Sequence, residues 1–461
     1  MTVMPAQAAD ADDARRDGSG TVTSAAGRRP LLTDNALVLA AGVQLVAGVI
    51  TSKLAATLLG AAGVGTFALV QAVANIVALC ALGTGEALVR EWGRRTESND
   101  PPDFDAMLRG AELASLTAMG IVAAVALTFS RPLARLIFGD GSNGGELFLL
   151  AVAAGITFGW VTLQVNSMVA RRRIRRVGLA LALAAGSTPV VAWLGFSRWG
   201  VDGISRVQLL AMLASLVTTG AVTIARPSAA TTPTDTPPPP PVRAALAEVP
   251  ALLRYGVPQV LGFLFTAAML LIVPLVVASG QGVDAAGYYR AAATIAAGMA
   301  TLFTFELNGD FSARIAAAST DDADFAATMG AHLRRLCLRG IIVVGALSVA
   351  APIIVPVLYD RSFDPTTTIL PLILVGQLLG LVAITLNIGV GARHGGGPML
   401  ANAAIGGTAT VTAVALTDSL AAVGLAFVAG QAVFLAVCVA STVVRDGVKP
   451  LASVTSRELA S

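Results

Sequence analysis

The chain has 461 residues, of which 55% are hydrophobic and only 13% are charged, and its formal net charge is +3. A soluble domain usually carries about 25% charged residues, and the mean hydropathy of this chain is +0.75. These values exclude an ordinary water-soluble enzyme and indicate a membrane protein, in which a small basic excess serves orientation more often than nucleic-acid binding.

Twelve apolar segments are each long enough to cross a hydrocarbon layer of about 30 Å as a helix. Polar residues 1–34 precede them and predict a disordered tail. The predicted spans are approximately 35–59, 64–85, 112–130, 146–168, 177–197, 203–225, 255–279, 286–309, 338–358, 367–391, 398–417 and 420–443. Residues 445–461 are predicted to form a second tail.

A Thr/Ala/Pro-rich stretch lies between the sixth and seventh spans. It ends in five consecutive prolines, Pro237–Pro241, and predicts an extended linker over 226–254. The chain therefore divides into an amino-terminal lobe, 35–225, and a carboxy-terminal lobe, 255–444, with six spans each.

The distribution of Lys and Arg predicts the orientation. With the amino terminus inside, 24 of the 31 Lys and Arg residues fall on the cytoplasmic side, as expected because basic residues concentrate there. We therefore expect a multi-pass protein of the cell membrane with both termini in the cytoplasm.

The two lobes resemble each other at an offset of about 222 residues, where Ala61–Phe67 aligns with Val283–Tyr289. Six spans return the chain to its starting side, so both repeats have the same orientation and a pseudo-twofold axis lies along the membrane normal. The predicted fold class is an all-α polytopic membrane protein with about twelve transmembrane helices in two pseudo-symmetric six-helix lobes around a central cavity.

Few side chains suited to catalysis or metal binding are present. The chain has two histidines and three cysteines, and the cysteines, Cys80, Cys337 and Cys438, are far apart in sequence. We expect no catalytic residues, no metal site, no cofactor and no disulfide framework.

Polar side chains inside spans are costly in lipid and usually face a partner or a wet cavity. Two stripes on pseudo-equivalent spans, together with one lysine, are the candidates for cavity lining. These residues are Lys53, Gln71, Asn75, Glu86, Arg290, Thr294, Thr301 and Asn308. The alternative is that they bond neighbouring helices, or that Lys53 and Arg290 extend to the outer boundary; pointing inward, these two cations would hold a diphosphate.

A second basic feature is the arginine-rich segment Arg171–Arg176 between spans four and five. It either fixes topology or binds anionic lipid head groups or a soluble partner.

Several short segments resemble a known family. They are Leu58–Leu69 between spans one and two, Ala87–Arg90 after span two, Leu253–Pro258, and Ala286–Ala292. In these segments the chain resembles the polysaccharide (O-antigen type) flippase family of the multidrug/oligosaccharidyl-lipid/polysaccharide exporter superfamily. Many relatives carry an acidic residue in the span that corresponds to Gly256–Ala278, and this chain has none there, which leaves the coupling ion open.

The resemblance implies a two-lobed transporter and no enzyme. It would move undecaprenyl-diphosphate-linked oligosaccharides from the cytoplasmic to the outer leaflet by alternating access, for cell-surface polysaccharide synthesis. Its partners would be the lipid-linked substrate, membrane lipids and a polysaccharide polymerase or glycosyltransferases.

Three other interpretations stay open. A major-facilitator-type solute transporter also has two six-span halves, and Gly85, Arg90 and Gly93–Arg95 match part of its signature, although the aspartate is missing. A cation-coupled drug exporter of the same superfamily would share the fold. A membrane scaffold for polysaccharide synthases would use the proline-rich linker and the arginine-rich segment.

Overall fold

The structure is a computed structural model that describes residues 31–97, 103–139, 143–171, 173–224, 241–306, 311, 314–315, 318–394 and 396–446. Within these ranges the chain is helical and contains no strand. The helices are α1 (Leu31–Glu97), α2 (Phe104–Thr128), α3 (Ser130–Phe138), α4 (Gly144–Ala170), α5 (Ile174–Trp199), α6 (Ile204–Ile224), α7 (Val242–Gln281), α8 (Val283–Glu306), α9 (Asp322–Leu358), α10 (Asp364–His394), α11 (Gly396–Ala415) and α12 (Leu420–Asp446).

Glycines reverse the chain at equivalent points of the two lobes. α1 consists of two helices joined at Gly60, which has φ 70° and ψ −172°, and Gly282, with φ 93°, lies between α7 and α8. Glycine adopts positive φ at no steric cost, and these two glycines are related by the repeat offset. We call the end of the bundle that holds Gly60 and Gly282 the outer end, and the opposite end the inner end.

Seven helical stretches in the described part of the chain are long and apolar enough to cross a membrane. Two of them, Gly42–Leu79 and Ile174–Ile224, have 38 and 51 residues, whereas one crossing needs about 20. The first is broken at Gly60 and the second at the 3₁₀ turn Gly200–Gly203, so each holds two crossings. The prediction of an all-helical polytopic protein is confirmed.

The helices form two lobes. In the amino-terminal lobe α1 packs against α4 and α5, and both α4 and α5 pack against α6. In the carboxy-terminal lobe α12 packs against α10 and α11, while α11 packs against α7 and α9 against α10. The lobes meet mainly where α1 contacts α7 and α8, which we call the seam.

An arginine contact joins two helices at the inner end of the amino-terminal lobe. Asp103 caps α2 by accepting hydrogen bonds from two backbone N–H groups. Arg171, directly after α4, pairs with Asp105 at 2.7 Å, and its guanidinium lies 4.4 Å from the ring centroid of Phe104.

The carboxy-terminal lobe repeats this contact. Asp321 caps α9 in the same manner, and Arg393 near the end of α10 pairs with Asp322 at 2.8 Å. The Arg393 guanidinium lies 3.9 Å from the ring centroid of Phe325. The two lobes are therefore built on one pattern, as the sequence repeat predicts.

Some helix ends differ from the predicted spans. α7 begins at Val242, inside the range predicted as a linker, and α9 begins at Asp322, well before the predicted start at 338. The amphipathic helix α3 at the outer end was not predicted. Hydropathy marks only the membrane core of a helix, whereas polar turns rich in Ala, Leu, Arg and Glu continue it beyond the core.

Candidate functional site

Arg290 on α8 joins the two lobes across the seam. Its Nη2 donates a hydrogen bond to Oε1 of Gln71 on α1. Two predicted candidates from opposite lobes are therefore in direct contact, in the outer half of the bundle.

The described surroundings of Arg290 contain no carboxylate that pairs with its charge. The residue is largely enclosed by protein and keeps an intermediate exposed fraction. Within the described ranges no ion pair involves it, and the titratable groups that interact with its charge are Tyr359 and Tyr289. A buried cation without a counter-ion is costly, and an anionic ligand would offset that cost.

Tyr359, just after α9, completes the polar cluster around Arg290. It is 4% exposed, its hydroxyl donates to the carbonyl oxygen of Ala291 at 3.3 Å, and it interacts with the side chains of Ser52 and Thr294. Sequence analysis missed Ser52 and Tyr359. The sequence signal that could have identified Tyr359 was the rarity of tyrosine, of which the chain has four.

Lys53 also crosses the seam, but to a backbone group. Its Nζ donates to the carbonyl oxygen of Val357 at 2.7 Å. Val357 lies in the last turn of α9, where carbonyl groups lack helical partners and attract cations. The exposed Lys53 therefore caps a helix of the opposite lobe.

A cavity of about 270 Å³ lies along the seam beside this cluster. Leu45 and Val49 of α1 line one side, and Thr294 of α8, Tyr359 and apolar residues of α9 line the rest. The Thr294 hydroxyl donates to the carbonyl oxygen of Arg290 at 2.9 Å. The cavity is slightly smaller than the usual range for ligand pockets, about 300–1,000 Å³, and its walls are mostly apolar.

The other candidates are distributed differently. Asn75 lies one turn beyond Gln71 on α1 and is partly exposed. The side chains of Glu86 and Thr301, and the whole of Asn308, lie outside the described residues.

The lobes touch through their backbones at the outer end. A Cβ atom on Gly65 would overlap the carbonyl oxygen of Val283, and a Cβ atom on Gly287 would overlap the carbonyl oxygen of Ala61. The two contacts are exchanged by the repeat offset, so the pseudo-twofold axis passes between them. We call these four residues the outer contact; glycine permits the approach because it has no Cβ.

The inner end is closed by the start of α7. A Cβ atom on Gly256 would lie 2.6 Å from the carbonyl oxygen of Gly83 on α1. Nearer the end of the bundle, Arg95 of α1 binds Glu248 of α7 through both terminal nitrogens, at 3.1 and 2.8 Å, and binds the buried Glu91 at 2.7 Å. The Glu248 hydrogen bond is the largest cause that raises the pKa of Arg95, so the Arg95 guanidinium stays protonated.

Reversing the charge of Glu248 is expected to open the inner end. A partly buried, bidentate ion pair contributes about 1 kcal/mol, so Glu248→Arg should raise the ratio of open to closed inner ends about fivefold. The measurement is the distance between spin labels on exposed inner positions of the two lobes, Arg175 and Arg335. Glu248→Asp, which keeps the charge opposite Arg95, should retain the short distance; an unchanged distribution in Glu248→Arg contradicts a closing role.

The sequence matches a known protein family over more than half of its length. Residues 32–308 match the family model described as polysaccharide biosynthesis protein. No match was found among curated proteins.

Solved structures share the fold at low identity. An inward-facing multidrug resistance MATE family transporter of the MOP superfamily is 17% identical, with a TM-score of 0.65 over 88% of this chain and 92% of that chain. The lipid II flippase MurJ, in an inward closed conformation, is 11% identical, with a TM-score of 0.67 over 89% and 87%. A MOP superfamily transporter from Pyrococcus furiosus is 17% identical, with a TM-score of 0.63 over 88% and 92%.

Proposed function

The chain belongs to the polysaccharide biosynthesis protein family, and from this membership we propose that it is a flippase for lipid-linked oligosaccharides. Its cargo is an oligosaccharide on undecaprenyl diphosphate, moved from the cytoplasmic to the outer leaflet for cell-surface polysaccharide synthesis. In this proposal the protein makes and breaks no covalent bond.

The charge of Arg290, which pairs with no carboxylate among the described residues, carries the proposal. A diphosphate accepts two parallel hydrogen bonds from one guanidinium, and charge-assisted bonds of this kind are the strong ones. Arg290 is bonded at the seam to Gln71 of the other lobe, and it interacts with Thr294 and Tyr359, which line the seam cavity. Binding of a diphosphate would supply the missing counter-charge where the two lobes separate.

The need for a protein follows from the solvation of the cargo. Even one charge costs several kcal/mol in hydrocarbon, and the sugar hydroxyls add unsatisfied polar groups. A path along the seam would keep the head group hydrated or bonded while the prenyl chain stays in lipid.

The contacts at both ends of the seam support alternating access. The outer contact is made by two glycines, each against a carbonyl oxygen of the other lobe, and the inner end is closed by the Gly83–Gly256 approach and the Arg95–Glu248 pair. Each end is held by a small set of interactions, so one end can open while the other stays closed.

The basic residue distribution supports the orientation in the cell membrane, with both termini cytoplasmic. The inner end is then the cytoplasmic end. A polysaccharide polymerase or glycosyltransferases would act on the cargo before or after this step, and the proposal requires no stable complex with them.

Flipping in vesicles tests the proposed function. The purified full chain in sealed vesicles should move an NBD-labelled undecaprenyl-diphosphate oligosaccharide between leaflets faster than protein-free vesicles, as measured by dithionite quenching of the outer label. An equal rate in both sets of vesicles contradicts the proposal. Ion-driven uptake of a cationic dye by the same vesicles would instead support a drug exporter.

A further inference from the structure

The inner connection between α4 and α5 carries arginines that the proposed function does not use. Arg173 directly precedes α5, and Arg175 and Arg176 lie in its first turn; Arg172 lies outside the described residues. The connection is tight, because the backbone N–H of Arg173 bonds the carbonyl oxygen of Met168 at 2.9 Å. We call Arg173, Arg175 and Arg176 the arginine cluster.

The arginine cluster lies at the depth of lipid head groups. α4 has 27 residues, which gives a length of about 40 Å at 1.5 Å per residue, whereas the hydrocarbon layer is about 30 Å thick. Since the connection is short, its side chains stay close to this end of the helix and reach the interface.

The second lobe serves as an internal control for what the fold requires. Arg393 makes the ion pair and ring contact that Arg171 makes in the first lobe. The positions related to the arginine cluster by the repeat offset are Gly395, Gly397 and Pro398. The repeated helix contact therefore forms without these three cations and does not explain them.

The described surroundings of the cluster also lack compensating charge. Asp105 is paired with Arg171, and no carboxylate in the described ranges is paired with the three cluster arginines. Nη1 of Arg176 is buried without a hydrogen-bond partner. Partial burial lowers the pKa of Arg173, and the neighbouring charges of Arg176 and Arg171 lower it further.

We propose that the arginine cluster binds the phosphate of an anionic phospholipid in the leaflet at the inner end. A phosphodiester supplies the absent negative charge and acceptor oxygens for several guanidinium donors, including the unsatisfied Nη1 of Arg176. The first N–H groups of α5, which no side chain caps at Arg173, add to the attraction. A phospholipid fits better than a soluble anion because the cluster lies at the membrane surface, where anionic head groups are concentrated.

The test compares two triple variants of the full chain. Native mass spectrometry in a neutral detergent should show that R173Q/R175Q/R176Q binds phosphatidylglycerol at least about tenfold more weakly than the unchanged protein. The reason is that each basic residue near the membrane surface contributes appreciably to the attraction of anionic lipids. Phosphatidylcholine binding should not change. The matched control is R334Q/R335Q/R339Q, which removes three arginines from the inner part of α9 and should retain phosphatidylglycerol binding.

Three results would overturn the proposal. Phosphatidylglycerol binding that survives in the cluster variant shows that the cluster does not bind it, and an equal loss in the α9 control shows only general attraction of charge. Loss of undecaprenyl diphosphate binding in the cluster variant, with phosphatidylglycerol binding unchanged, assigns the cluster to the cargo. If the triple variant does not elute as a single species, the single variant R176Q should still show weaker phosphatidylglycerol binding. The variant R173K/R175K/R176K keeps the charge without the planar donor fork and should bind phosphatidylglycerol with intermediate affinity.

Discussion

Replacing Arg290 with glutamine is expected to reduce flipping of the lipid-linked oligosaccharide by about tenfold or more. The substitution removes the charged fork that would bind the diphosphate, and hydrogen bonds to charged groups contribute about 1.5–3 kcal/mol each. The same change removes a buried cation without a carboxylate partner in the described residues, so the thermal midpoint should stay equal or rise. Dithionite quenching in vesicles and a thermal melt of the purified protein measure the two effects.

The combination of these outcomes separates a ligand-binding role from a structural one. If Arg290 only holds the lobes together through Gln71, Arg290→Gln should lower the thermal midpoint, and Gln71→Leu should impair flipping as severely. We expect Gln71→Leu to have the smaller effect, because it leaves the cation in place, and Arg290→Lys to retain part of the activity. Full flipping by Arg290→Gln contradicts the assignment of the diphosphate site.

The fold could be predicted in large part because lipid constrains it strongly. Every spanning segment must satisfy its own backbone hydrogen bonds, so apolar length alone indicates helices. The repeat could be read from Ala61–Phe67 and Val283–Tyr289, and the structure places Ala61 and Gly65 against Val283 and Gly287. The polar ends of α7 and α9 escaped prediction because they lie beyond the apolar segments.

The candidate site could be predicted only in part, because its contacts cross between lobes. Helix periodicity placed Gln71 and Arg290 on candidate stripes, but no sequence pattern reports that the two stripes meet. Tyr359 and Ser52 join the cluster because α9 ends beside α1, a tertiary arrangement. Lys53 was identified as a cation near the outer boundary, and its hydrogen bond to the Val357 carbonyl gives it a backbone partner.

The type of contact across the seam changes from the outer to the inner end. Backbone contacts at Gly65 and Gly287 close the outer end, polar contacts around Arg290 lie below them, and the Arg95–Glu248 pair lies at the inner end. Charged side chains can exchange partners as helices move, whereas a glycine contact is either closed or lost. The outer contact should therefore be the part of the seam whose closure is most sensitive to a larger side chain.

Replacing Gly65 with valine is expected to hold the outer end open and to reduce flipping by about tenfold or more. The overlapping atom is a backbone oxygen of Val283, which cannot rotate away as a side chain would, and overpacking of this kind costs about 1–3 kcal/mol. α1 and α8 must then separate toward the 8–10 Å that ordinary helix pairs adopt. Spin labels at the exposed positions Ala62 and Asp284 should show the longer distance.

Gly287→Val should have the same effect as Gly65→Val, because the repeat exchanges the two contacts. Gly48→Val is the matched control, because it adds the same side chain to α1 where a Cβ atom meets nothing within 4 Å. It makes the same change in helix propensity as Gly65→Val but creates no overlap. We expect Gly48→Val to retain both the short label distance and flipping. If both outer variants keep the short distance, or if they lengthen it while flipping continues at the full rate, the outer contact is not a gate, because a gate that cannot close must stop the transport cycle.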